Sequence, residues 1–207
     1  MSTAQSDNVV SLPSNAYATM PAVVFKALSE FAKDTGGRPQ LGFIAFCHGR
    51  HGGAAWATDG HKLMRWQLDD PTGFEPGKTY TVQPVKLPAG AERVTVEFLA
   101  GAPRPLLAVD LKTGSSASYS SEACELNYPN VQAVYDSALK NEPGALGQGI
   151  ALNAAYVAFV SKHAAAVQKV TVDGKTPWLR PKLSGSSATF WECQDRRLTF
   201  VVMPMRC

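Results

Sequence analysis

The chain has 207 residues, 45% of them hydrophobic, and carries 20 Lys and Arg against 17 Asp and Glu for a formal net charge of +3. That length suits one large domain or two small ones around a packed core. The mild positive charge permits an anionic partner without the dense basic stripe of a dedicated nucleic-acid binder, and no apolar run approaches the ~18 residues of a membrane helix.

The opening MSTAQSDNVVSLPSN is polar and lacks the basic and apolar regions of a secretory signal, so a soluble cytoplasmic protein is expected. Residues 1–15 read as a flexible tail rich in Ser and Asn. TMPAVVFKALSEFAKDTGG follows. Val24, Leu28 and Phe31 fall on one helical face, Pro21 suits the first turn, and Gly36 or Gly37 supplies the stop. LGFIAFC is an apolar run of strand length, HGRHGG a turn, and AAWATDG and KLMRWQL further strands.

DDPTGFEPG is a connector dense in Pro, Gly and Asp. TYTVQP, RVTVEFLA, PLLAVDL and SASYSSE read as strands after it, and Pro88 and Gly90 leave VKLPAGAE room for about one helical turn. NYPNVQAVYDSALKNEPGALGQG reads as irregular and marks a boundary. IALNAAYVAFVSKHAAAVQK is a helix capped by Asn153, with Leu152 and Val157 as a hydrophobic staple and an apolar stripe of Val157, Val160, Ala164 and Val167. KVTVDG, WLRPKLSG, ATFWECQ and RLTFVVMPM read as the closing strands. Two helix-plus-strand-meander units, 20–67 and 152–203, thus flank a strand-only stretch. Helices on one face of a mostly antiparallel sheet give an α+β class.

Several residues invite a chemical reading. Cys47, His48, His51, Asp59 and His61 lie close in sequence, but their spacing fits no standard zinc signature. Asp59 with His61 could orient a general base, yet no G-x-S-x-G or C-G-S-C-W supplies a nucleophile. Asp59-Gly60 reads better as a tight turn between strands. GALGQG at 144–149 lacks the strand and the Lys-Ser/Thr of a phosphate loop and reads as a linker. Cys47, Cys124, Cys193 and Cys207 form no C-x-x-C pair, so four reduced thiols are expected. The end, LTFVVMPMRC, carries two methionines that offer a soft, adaptable apolar surface.

Three stretches, in order, carry a resemblance. ATDGHKL, YPNVQAVY (128–135) and VVMPMRC resemble the A-T-D-G-H-R-L, F-P-D-Y-R-R-V-L and V-M-P-M-R segments of the bacterial β sliding clamp, the processivity subunit of DNA polymerase III. The resemblance implies a DNA-clamp-like fold without catalytic activity, metal or cofactor. It also implies a hydrophobic cleft for short peptides of polymerases, the clamp loader and repair proteins. By that resemblance the first wall is Thr58, Gly60, His61, Lys62 and Leu63. The junction adds Pro129 and Val134, and the far wall is Val202, Met203, Pro204, Met205 and Arg206. Residues 16–125 resemble the family's middle domain with its second helix shrunk to VKLPAG, 126–147 form a connector, and 148–207 resemble the later half of the last domain. By the same resemblance, no counterpart of the family's first domain is expected among these residues. Lys62 and Ala133 stand where the family places Arg, and Lys62 lacks the planar fork of a guanidinium. Family helices present basic residues to DNA, which points to Lys26, Lys33, Lys162 and Lys169.

The leading expectation is a clamp-like replication accessory protein that self-associates, binds clamp-binding peptides and contacts double-stranded DNA, with no membrane partner. A second reading is a decoy or adaptor that holds clamp partners without encircling DNA. A third is a small metal-dependent hydrolase built on Cys47, His51, Asp59 and His61.

Overall fold

The computed structural model describes residues 15–34, 36–140, 152–173, 176–182 and 188–203. Strand β1 (Ala16–Pro21) leads into helix α1 (Ala22–Phe31), and a short 3-10 turn (Pro39–Gly42) precedes β2 (Ile44–Gly49), β3 (Gly52–Thr58) and β4 (Lys62–Gln67). Four strands follow: β5 (Thr79–Val82), β6 (Ala91–Phe98), β7 (Leu106–Leu111) and β8 (Ser116–Ser120). Then come helices α2 (Val131–Lys140) and α3 (Ala154–Thr171), and strands β9 (Leu179–Lys182), β10 (Thr189–Cys193) and β11 (Leu198–Val202).

The strands form two sheets, one of four in the order β1-β6-β7-β8 and one of seven in the order β5-β2-β3-β4-β11-β10-β9. All their pairings are antiparallel. The seven-stranded sheet joins the two predicted units directly, because β4 pairs with β11, Leu63 opposite Val201 and Lys62 opposite Val202.

Alternation along each strand sorts its side chains between two cores. Ile44, Phe46, Ala55, Ala57, Met64, Trp66, Phe200 and Val202 face the larger core, shared with α1, α3 and the four-stranded sheet. Ala45, Ala54, Trp56, Leu63, Phe190 and Val201 face the opposite side, under α2. Phe31 at the end of α1 marks the meeting of the larger core's layers. Its ring lies 5.0 Å from Phe159 of α3 and 5.5 Å from Phe200 of β11. Burying one such aromatic side chain stabilises by roughly 1.5–3 kcal/mol.

The α+β class stands, and VKLPAGAE forms no helix. Several element readings are corrected. Ala16–Pro21, to which the sequence assigned no strand, is one, its side chains alternating buried and exposed against β6, and Pro21 closes it just before α1. The stretch read as irregular contains α2. Asn130 caps it through a bond from the Ala133 N–H to Asn130 Oδ1, and Val131, Tyr135 and Ala138 bury one face at helical spacing. With α2 present, helices cover both faces of the seven-stranded sheet.

KVTVDG is not a strand at its start, since α3 continues to Thr171. The cause is Gln168, 1% exposed, whose side chain donates to Trp178 O and accepts from the backbone N–H of Gln194, tying the helix end to the last hairpin. At the other end of α3, the Asn153 cap forms as expected, accepting from Ala155 N–H at 2.9 Å. No described helix is long and apolar enough to cross a membrane. All of the tail read at 1–15 except Asn15, and the linker GALGQG, lie outside the described residues.

Candidate functional site

The turn between β3 and β4 is built by its own side chains. Thr58 Oγ1 donates to Lys62 O at 2.9 Å and accepts from Gly60 N–H at 3.0 Å. Asp59 Oδ1 accepts from the backbone N–H groups of His61 and Lys62, each at 3.0 Å. Gly60, at φ +91°, makes the left-handed step. This is an Asx-type turn, a local alternative to further ladder bonds.

Asp59 also pairs with the Lys62 ammonium, and both side chains are buried. Burial alone would raise the Asp59 pKa, but the Lys62 ammonium and the two backbone donors outweigh it and hold the carboxyl below its ordinary value. The Lys62 ammonium rests in an aromatic nest, 4.4 Å from the Phe159 ring centroid and 5.2 Å from that of Tyr156. Its neighbour His61 stays exposed and stacks on Tyr156, with centroids 5.6 Å apart. Met203 N–H donates to His61 O at 2.9 Å, pinning the end of β11 beside this turn.

A cleft of about 200 Å³ opens here. It is lined by Thr58, Gly60, His61, Lys62 and Leu63 from the turn, Pro129, Val131 and Val134 at the start of α2, Val201 and Met203 from the end of β11, and Arg38 and Leu41 from the 3-10 turn region. Eight of the residues named from sequence therefore line one cavity: Thr58, Gly60, His61, Lys62, Leu63, Pro129, Val134 and Met203. Val202 does not. It pairs with Lys62 and points into the larger core, so its neighbour Val201, opposite Leu63, takes its place. Pro204, Met205 and Arg206 lie outside the described residues.

Arg38, Leu41 and Val131 were missed, since nothing in their local sequence places a 3-10 turn or a helix start beside the β3–β4 turn. Among the described residues no carboxylate lines the cleft, while Arg38 and His61 do. The site can therefore take an apolar guest with polar groups at its mouth.

The residues considered for metal or acid–base chemistry separate. Asp59 turns to Lys62, His61 to Tyr156, and His51 to Asp136 at 2.9 Å. Among the described residues no group of three His, Cys, Asp or Glu side chains could hold a metal ion. Cys47, Cys124 and Cys193 are free thiols, and Cys207 is not among the described residues.

Of the four lysines considered for DNA, Lys26 is exposed on α1, Lys162 and Lys169 are exposed on α3, and Lys33 is exposed two residues past the end of α1. Lys33 and Lys162 converge on His163, a buried imidazole 3.3 Å from Glu30. Burial depresses the His163 pKa, and Lys162, Lys62 and Lys33 act in the same direction against Glu30.

No protein-family model and no curated protein sequence matches the chain. Solved structures do. The chain is similar to the β subunit of DNA polymerase from Streptococcus pyogenes, with a TM-score of 0.55 and 12% identity over 99% of this chain and 68% of that one. It is similar to the sliding clamp of Bartonella birtlesii bound to griselimycin, with a TM-score of 0.58 and 14% identity over 93% of this chain and 66% of that one. The Helicobacter pylori β clamp bound to a DNA ligase peptide gives 0.57 and 13% over 98% and 68%. The chain thus has a divergent sliding-clamp-like fold and spans about two thirds of the length of these clamp chains.

Proposed function

We propose that the chain is a sliding-clamp-like accessory protein of DNA replication that receives short linear peptides in the cleft walled by Leu63, Val134, Val201 and Met203. One observation carries the reading. Three segments far apart in sequence, 58–63, 129–134 and 201–203, meet at a single apolar cleft on the fold of a peptide-binding protein. The Helicobacter pylori clamp was solved with a DNA ligase peptide, which supports peptides of polymerases, clamp loaders or repair proteins as the guest class. The protein performs no catalysis in this reading. Residues 16–125 act as a middle-domain equivalent, 126–147 as the connector and 148–207 as the later half of a last domain.

The test is fluorescence anisotropy with a labelled clamp-binding peptide. Val134→Asp puts a charge into a half-buried apolar wall and should weaken binding by about tenfold or more. Unchanged affinity would overturn the cleft.

The same reading assigns double-stranded DNA to Lys26, Lys33, Lys162 and Lys169, with copies of the chain associating around it. Native mass and salt-dependent retention on circular DNA test this part, because phosphate contacts weaken steeply with salt. A monomer that binds peptide but retains no DNA would instead be an adaptor holding clamp partners without encircling DNA.

A further inference from the structure

Each sheet ends in two edge strands, and an open edge is a row of unpaired N–H and C=O groups that can template another strand. The edges β1, β5 and β9 are protected. The outer side of β1 meets the 70–73 loop, where Tyr17 N–H donates to Thr72 O at 3.1 Å. The segment after β8 runs along β5. Gln83 N–H donates to Glu122 O at 2.8 Å, and Cys124 N–H donates to Thr81 Oγ1 at 2.7 Å. β9 carries Arg180, Pro181 and Lys182, and a proline between two cations discourages pairing.

Among the described residues β8 has none of these devices. It reads Ser-Ala-Ser-Tyr-Ser, without charge or proline, and pairs with β7 alone. The flanking bonds decide which of its backbone groups are free. Leu111 N–H donates to Ser115 O, and Ser121 N–H donates to Pro105 O. By alternation, Ala117 and Tyr119 turn their backbone groups to β7, opposite Val109 and Leu107. Ser116, Ser118 and Ser120 turn theirs outward, and their side chains are exposed.

We infer that β8 is the surface through which the chain associates with itself: two copies pair β8 to β8, antiparallel, about a twofold axis through Ser118. This rests on the self-association in the proposed function and names its surface. A twofold contact needs one patch that complements itself, and β8 reads nearly the same in both directions. Ser118 meets its own copy, Ser116 meets Ser120, and Ala117 meets Tyr119 across the axis. The outward N–H and C=O of each serine then find partners. The side-chain faces also match, serines on the exposed face and Ala117 and Tyr119 on the half-buried one. No like charges meet, since Glu122 falls opposite Gly114. The two four-stranded sheets become one continuous sheet.

An edge-to-edge contact belongs to the small, transient class of interface, below about 1,200 Å² of total buried surface. Sedimentation velocity of the full chain is therefore run from micromolar to millimolar concentration, and the wild type should dimerise as concentration rises. Ser118→Pro removes the central outward donor, which an edge strand tolerates, and should weaken the dimer by about tenfold or more. Ser118→Lys and Ser118→Glu put like charges opposite each other and should weaken it too. An equimolar mixture of those two should recover at least the wild-type affinity, because Lys then meets Glu across the axis. Thermal melts check that each variant folds, as substitution at an exposed position allows.

A wild type that stays monomeric throughout overturns both the inference and the self-association it rests on. A dimer that survives Ser118→Pro and Ser118→Lys unchanged overturns β8 alone. Weakening in the single variants without recovery in the mixture overturns the twofold register.

Discussion

The Lys62 ammonium is ion-paired with the Asp59 carboxylate three residues earlier, both buried, under the aromatic side chains of α3. This pair holds one wall of the cleft to the helix layer. Removing one partner of a buried pair leaves the other uncompensated, and Asp59 also serves two backbone donors. Asp59→Ala should therefore cost about 3 kcal/mol in urea unfolding, and Lys62→Met less, because Asp59 would keep its backbone partners. Equal losses in the two variants would show that the ion pair alone sets the stability of the turn.

Acid should unfold the protein partly through such carboxylates. For Asp59 and Asp195 burial acts to raise the pKa, but Lys62 in one case and Arg197 in the other lead the opposing interactions, and both folded values end below the ordinary one. A depressed carboxylate contributes its full stability above the unfolded pKa of about 4 and loses it as pH falls through the folded value. Asp59→Asn should be less stable at neutral pH and lose stability less steeply below about pH 4. Parallel pH–stability curves would contradict this.

Val202 and Met203 are neighbours with different duties. Val202 is fully buried in the larger core, whereas Met203 is half-buried and lines the cleft. Val202→Ala should cost about 2 kcal/mol of stability and leave peptide affinity nearly unchanged at temperatures where it is folded. Met203→Ala should reverse that pattern. Thermal melts beside anisotropy titrations separate the two.

Gly73 sits at φ +76° with Asn15 O and the Ala16 backbone where a Cβ would go. Neither obstacle is a movable side chain. Gly73→Ala should destabilise by about 3 kcal/mol, read as a lower denaturation midpoint. A near-neutral result would mean that the entry to β1 can shift away from the 70–73 loop.

Helices α1 and α3 and nearly every strand were legible because their signals are local. The Asn153 cap, the alternation of Thr95 and Glu97 with buried Val94 and Val96, and the turn chemistry of Asp59-Gly60 all lie within a few residues of what they determine. α2 was not, because its apolar face is sparse, its neighbourhood is rich in Asn, Pro and Gly, and it rests on a sheet face assembled from distant strands. β1 escaped for a similar reason, since six residues of alternation mean little until β6 pairs with them.

The cleft divides the same way. By its resemblance the sequence pointed to the segments that line the candidate cleft, and its Asp59-Gly60 pair determined the turn. Only the tertiary structure decided which side chains face the cavity. The β4–β11 register places Val201 beside Leu63 and sends Val202 with Lys62 into the helix layer. The same packing brings Arg38 and Leu41 to the cleft and turns His51 toward Asp136. In a strand, one residue's displacement exchanges the faces, and the register that removes the ambiguity is a relation between chain segments more than a hundred residues apart.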